Sequence, residues 1–168
     1  MTTQMTQIFS LRPCVSARVI FYRKPMQAID LISNYVNALV HQDAERMNRS
    51  RAAEFVLDWV HGDAYGDNPL SAAQAAAFWP TWFTAFPEMD YEVMRTVAAD
   101  TVVVTQWTFT GTHSQTLGKP VFNEPLPPSG RTIRFRGVSI YDIAGDLIQR
   151  ETMYLDLATL LVELGATP

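Results

Sequence analysis

The chain has 168 residues, 48% hydrophobic and 18% charged, which is enough apolar material for one globular domain with a real core and too little length for a second. Its formal charge of -4 and pI of about 5.3 exclude the phosphate backbone of nucleic acid as a partner. The lone Cys14 excludes an intrachain disulfide and a cysteine-built metal site and suits a cytoplasmic setting, while every apolar run is interrupted well before the roughly 20 residues of a membrane span.

Charge is unevenly spread. Residues 1–25 hold Arg12, Arg18, Arg23 and Lys24 and no acid, a net +4, which leaves nine bases against 17 acids, or -8, for the rest. An acid-free, arginine-bearing start can mimic an organelle transit peptide, but Arg18 and Arg23 spoil any secretory apolar region. The alternative is an arm, or an over-long start ahead of Met26, with one domain spanning 26–168.

Pro25 suits a first helical position, and Ile29, Ile32, Val36, Leu39 and Val40 then recur at helical spacing, which predicts an amphipathic helix over about 26–45. A second short helix is expected over about 48–56. The run from Val56 to His61, ending at Gly62, reads as a short strand. Ser71 and Gln74 form a capping box for an alanine-rich third helix that ends near Phe86-Pro87, with Pro80 expected to kink or break it.

After Pro87 the period changes to alternation. Tyr91–Val97, Thr101–Thr110, Arg131–Asp142 and Leu147–Asp156 are rich in Val, Ile, Thr and aromatics and predict four strands in meander order, with turns at Ala99-Asp100 and Gly145-Asp146. The segment LGKPVFNEPLPPSG is too rich in Pro and Gly for regular structure and reads as a rim loop. Leu157–Leu164 closes the chain as a short helix with Gly165 at its end. Helices first and a meander afterwards argue for an α+β layer fold.

This order of elements, with FPEMDYEV, TVVVTQWTFTGTH, PPSGRTIRFRGVSIYDI and LIQRETMYLDLATLLVELG, resembles the SnoaL-like polyketide cyclase and ester cyclase group of the nuclear transport factor two-like superfamily. The similarity runs from about Met26 to Gly165. Its most specific piece is Gly111-Thr112-His113 followed at a loop's distance by Pro128-Ser129-Gly130-Arg131. The resemblance implies a cone-shaped, curved, mostly antiparallel sheet wrapped around N-terminal helices as a cystatin-like barrel with an internal pocket. It also implies an acid-base aspartate near the end of the last strand, here Asp156. Two departures stand out: the position two before that aspartate, His in some cyclases, is Tyr154, and the rim loop is long. The fold hosts many chemistries and plain binding modules, so function rests on the site.

On strict alternation Ile148, Arg150, Thr152, Tyr154 and Asp156 share one face of the last strand, and Leu147, Gln149, Glu151, Met153 and Leu155 the other. If the first set faces the pocket, Tyr154 and Asp156 converge there, and apolar walls raise the Asp156 pKa toward neutrality for proton transfer. Asp156 before Leu157 is equally a helix cap. His61, beside Asp63, could polarise a substrate oxygen or be a solvated edge residue. His113 belongs either to the site or to the turn and rim, and His41 ends a helix at the surface.

No His-x-x-x-His spacing or matching carboxylate supports a metal, and no Gly-x-Ser-x-Gly supports a serine nucleophile. The expectation is therefore cofactor-free acid-base chemistry with no metal. Asp156, His61 and Tyr154 are the catalytic candidates, and Trp59, Asp63, Trp107, His113 and Arg136 the substrate-binding ones. The ligand expected is a small hydrophobic, polyketide- or terpenoid-like molecule, with epoxide hydrolysis or a non-catalytic binding or dimerisation module as alternatives. Partly apolar alternation on both strand faces predicts a homodimer.

Overall fold

The computed structural model describes residues 27–60 and 69–165. The expectations for residues 1–25, His61 and Asp63 lie outside these. Helix α1 (Ala28–Val40) is followed by α2 (Ala44–Arg49), strand β1 (Arg51–Val60), α3 (Ala72–Ala85), strands β2 (Asp90–Ala98), β3 (Val102–Thr112), β4 (Thr132–Ala144) and β5 (Leu147–Leu155), and α4 (Leu157–Leu164). The strands form one sheet in the order β1-β5-β4-β3-β2. All neighbours are antiparallel except β1, which runs parallel to β5. The four-strand meander is as the alternation predicts. The sheet does not close into a barrel, since β1 and β2 remain as its two edges.

The N-terminal half departs from expectation in three places. Helix α1 stops at Val40 because Gln42 takes a left-handed φ of 56°, and Asp43 then caps α2 by accepting from the Arg46 N–H at 2.9 Å. The predicted helix over 48–56 is instead the end of α2 and the first half of β1. Arg51-Ala52-Ala53-Glu54 carries helix-forming residues, but pairing with β5 and burial of Phe55, Leu57 and Trp59 override that local preference. Helix α3 runs through Pro80 without a break. Its capping box is present as predicted, with the Gln74 side chain bonded back to the Ser71 N–H at 3.0 Å.

Helices α1 and α3 cover one face of the sheet. Leu31, Ile32, Tyr35, Ala38 and Leu39 of α1 and Phe78, Trp79, Trp82 and Phe83 of α3 are all buried. Opposite them, β4 turns in Ile133, Phe135, Ser139, Tyr141 and Ile143, and β3 turns in Val103, Thr105, Trp107 and Phe109. Gly137 faces the same way and must lack a side chain: a Cβ there would lie 2.2 Å from the Trp107 ring, its cross-strand partner. Among the described residues no helix is long and apolar enough to cross a membrane.

Candidate functional site

Strand β5 decides what reaches the interior. Its pairing with β4 steps from Asp142 opposite Arg150 to Ile143 opposite Ile148, so Gln149 is an extra residue, a bulge. The bulge breaks strict alternation. Ile148, Glu151 and Met153 are buried together, whereas Tyr154 is 49% exposed. The parity that placed Tyr154 and Asp156 in the pocket is therefore corrected: the interior face belongs to Glu151 and Met153.

At the heart of the molecule lies an aromatic cavity lined by Trp59, Phe78, Trp79, Trp82, Tyr91, Trp107, Phe109, Phe135 and Met153. Trp59 and Trp107, expected to bind a flat ligand, both belong to it. Its free volume is about 10 Å³, scarcely room for one water. The rings fill it themselves, with Phe78 stacked on Trp82 at 8° and a centroid distance of 6.3 Å.

One strand step away the lining turns polar. Trp59 pairs with Met153 and Leu57 with Glu151, while Ser139 pairs with Met153 and Tyr141 with Glu151. Glu151 is 1% exposed. The Tyr35 hydroxyl donates to its Oε2 at 2.9 Å and accepts from Arg51 Nη2 at 2.5 Å. Arg51 lies over the Tyr35 and Phe55 rings and reaches Asn48 Oδ1 at 2.9 Å. Burial pushes the Glu151 carboxyl above its ordinary range, opposed by the Arg51 charge and by hydrogen bonding with Tyr35, Ser139 and Tyr141. Burial likewise raises Tyr35, Tyr91 and Tyr141, so these phenols stay neutral donors. The Trp107 indole N–H, donating to Ser139 Oγ at 3.0 Å, joins the aromatic wall to this polar end.

The remaining predicted residues lie elsewhere. Asp156 caps α4, accepting from the Thr159 N–H at 3.0 Å and hydroxyl at 2.7 Å. Those bonds, the backbone one first and with help from the Arg136 charge, lower its pKa. The expected upward shift in an apolar pocket is thus reversed, because the carboxylate is solvated and capped. With Arg134, Arg136, Thr108, Phe135 and Thr159 it lines an open depression of about 550 Å³. Arg134 and Arg136 alternate with the buried Ile133 and Phe135, so they face away from the core.

His113 is fully buried, but as the buckle of the rim loop. Its Nδ1 accepts from the Ser129 N–H at 3.3 Å, its backbone exchanges bonds with Arg131 and Gly130, and its ring packs on Phe86. Burial lowers its pKa. This gives the Gly-Thr-His and Pro-Ser-Gly-Arg pair a structural meaning. A Cβ at Gly111 would crowd the Phe109 ring at 2.9 Å, and Gly130 needs its φ of 67°. His41 caps α1, its Nδ1 2.7 Å from the Asn37 carbonyl oxygen.

Sequence reasoning missed Tyr35, Arg51, Tyr141 and Glu151. The available signal was Glu151 itself, an acid in the apolar set of a strand with no charge beside it on that face.

The sequence profile described as SnoaL-like polyketide cyclase matches residues 29–164. The chain belongs to this family. Solved structures support the SnoaL-like fold. A SnoaL-like polyketide cyclase candidate from Jannaschia sp. CCS1 superposes with a TM-score of 0.70 at 18% identity, covering 87% of this chain and 98% of that one. AclR from Streptomyces galilaeus, a candidate hydroxylase, gives 0.68 at 21% identity over 83% and 96%. Wild-type IdmH from Streptomyces antibioticus, a candidate polyketide cyclase, gives 0.65 at 24% identity over 84% and 100%. Comparison with the curated proteins finds no match. In this SnoaL-like chain the acid that reaches the interior is Glu151.

Proposed function

We propose that this SnoaL-like protein is a cofactor-independent cyclase or isomerase that moves a proton on a small, largely apolar molecule admitted when the rings filling the aromatic cavity move apart, with Glu151 as the proton-transfer group. The observation that carries this reading is a buried carboxyl with a raised pKa, hydrogen-bonded to Tyr35, one strand step from a wall of indole and phenyl rings. A carboxyl shifted toward neutrality both accepts and returns a proton. Tyr35, a neutral phenol, holds the carboxylate as a donor, and Arg51 limits how far burial raises it.

Titration of the glutamate carboxyls by ¹³C NMR tests the reading. One carboxyl, absent in Glu151→Gln, should titrate above the exposed glutamates. Titration of Glu151 among them would remove the interior acid-base group.

A non-catalytic binding module is the second reading, favoured by a cavity almost filled by its own rings and by Asp156 bound to the last helix. It predicts ligand uptake without proton exchange. We place the protein in the cytoplasm as a homodimer paired through the outer sheet face, where Val104, Val138 and Ile140 are half-buried and Tyr154 is exposed. A monomer by light scattering at micromolar concentration contradicts the pairing.

A further inference from the structure

The aromatic cavity is shut by its own lining. Its free volume of about 10 Å³ leaves no space for an organic molecule, so one wall has to move before anything enters. Trp82 is the ring that closes it. Between centroids its indole lies 6.1 Å from Trp59, 6.3 Å from Phe78, 5.4 Å from Phe109 and 6.1 Å from Phe135. It thus meets rings of β1, β3 and β4 at once, and it stands in the second half of α3.

That half is joined weakly to the first. Pro80 carries no N–H, so the Ala76 carbonyl is denied its helix bond just ahead of Trp82. The Thr81 and Thr84 hydroxyls turn back onto the carbonyls of Ala77 and Pro80 at 2.8 and 2.9 Å, a back-bonding that bends helices. The backbone runs helical through this point, yet here α3 resists bending least.

The far end of α3 is fastened by the rim loop. The Ser114 N–H donates to the Ala85 carbonyl at 2.9 Å, the Thr81 hydroxyl reaches the Lys119 carbonyl at 3.4 Å, and the His113 ring packs on Phe86 with centroids 5.3 Å apart. His113 also joins the two ends of the loop, through the Ser129 N–H donating to its Nδ1 at 3.3 Å and through a bond with the Gln115 backbone. An imidazolium has no lone pair for the Ser129 N–H, and at 0% exposure it has no water to solvate its charge. No side-chain charge compensates. Helix α3 and strand β3 carry none, and Glu88, Lys119, Glu124, Arg131 and Arg134 on the flanking segments are exposed. The Arg131 guanidinium is engaged by the Val162 and Glu163 carbonyls.

We infer that the second half of α3 is the door of the aromatic cavity, hinged at Pro80 and latched to the rim loop by neutral His113, with Trp82 as the plug that the door withdraws. This rests on the reading of the interior as a ligand site and adds how that site is opened. Burial holds His113 in the latched state below its ordinary 6.5. The latch is therefore whole above that value and weakens as pH falls through the latched one.

Native-state hydrogen exchange of the full chain, read by mass spectrometry and corrected for the intrinsic rate at each pH, tests the door. Amides of Thr84 to Phe86 and of Ser114 should open together, and more readily than those of Ala75 to Trp79. Lowering the pH from roughly 7.5 to 5.5 should speed their opening severalfold and leave Trp107 and Phe135 unchanged. His113→Asn keeps an acceptor near the Nδ1 position and cannot titrate, so it should abolish that acceleration. Pro80→Ala restores the missing helix bond and should slow opening of the second half by ~10-fold or more while the pH response remains. Uniform exchange along α3, or the same pH response in His113→Asn as in the natural chain, overturns the door. Naphthalene then probes the interior, read by the Met153 ¹³C-methyl resonance, which is identified by its loss in Met153→Leu. Uptake should be faster at the lower pH and slower in Pro80→Ala. A Met153 signal that naphthalene never moves, beside the expected exchange pattern, overturns the interior-ligand reading and supports hinge and latch as a motion of the fold.

Discussion

The Tyr35 hydroxyl donates to Glu151 Oε2 at 2.9 Å, bridging 116 positions of sequence and tying helix α1 to strand β5. The same oxygen accepts from Arg51, so a helix, β1 and β5 meet at one phenol. Tyr35→Phe removes the bridge and leaves Glu151 Oε2 unpaired in the core. The expected cost is about 1–3 kcal/mol of unfolding free energy, read by urea denaturation. Because the Tyr35 bond lowers the Glu151 pKa, its loss should also move that carboxyl further up. An unchanged denaturation midpoint would show that the bridge contributes nothing.

Glu151 makes stability depend on pH in a defined direction. Its folded pKa lies above the ordinary 4.5, so the folded state binds its proton more tightly than the unfolded chain does. The resulting stabilisation is complete below about 4.5 and is lost as pH rises through the folded value. Glu151→Gln cannot ionise. The difference in unfolding free energy between the variant and the natural chain should therefore shift in favour of the variant as pH rises, then level off. Parallel curves across that range contradict the upward shift.

Gly137 opposite Trp107 is a packing requirement. A methyl group there meets the indole at 2.2 and 2.4 Å and the Tyr154 carbonyl oxygen at 2.7 Å. Gly137→Ala should cost about 1–3 kcal/mol through overpacking and change the near-ultraviolet circular dichroism as Trp107 is displaced. A variant with native stability and spectrum would place the indole elsewhere.

Asp156→Ala should lower the melting temperature by removing the cap of α4, and Asp156→Asn should restore most of the loss, since an asparagine side chain still accepts from the Thr159 N–H. Equal stability of both variants with the natural chain would deny the cap.

The C-terminal half is the more legible part of the sequence, because its strands are rich in Val, Ile, Thr and aromatics and are separated by turns that carry their own punctuation. Residues 51–55 were not legible, since Arg-Ala-Ala-Glu has helical character and only pairing with a strand nearly a hundred residues later makes it β1. Trp59 and Trp107 could be picked out as strand aromatics, and they do share a cavity. The acid could not be chosen by counting. One extra residue at Gln149 exchanges the two faces of β5, which sends Tyr154 outward and brings Glu151 to Tyr35. The sequence leaves Asp156 two roles, and its bonds to Thr159 supply the capping one.

The most direct test of Glu151 as the proton-transfer group needs no knowledge of the natural substrate. In D₂O, 2-tetralone loses a hydrogen beside its carbonyl when a base takes the proton, the C–H electron pair passes to the carbonyl oxygen as an enolate, and a deuteron returns to carbon. Proton NMR follows the loss of that hydrogen. The natural chain should accelerate the exchange over buffer, Glu151→Gln should lose ~10²- to 10⁴-fold of the acceleration, the usual effect of deleting an acid-base group, and Asp156→Asn should retain it. Equal exchange by the natural chain and Glu151→Gln, or loss of exchange in a folded Asp156→Asn, would contradict the assignment.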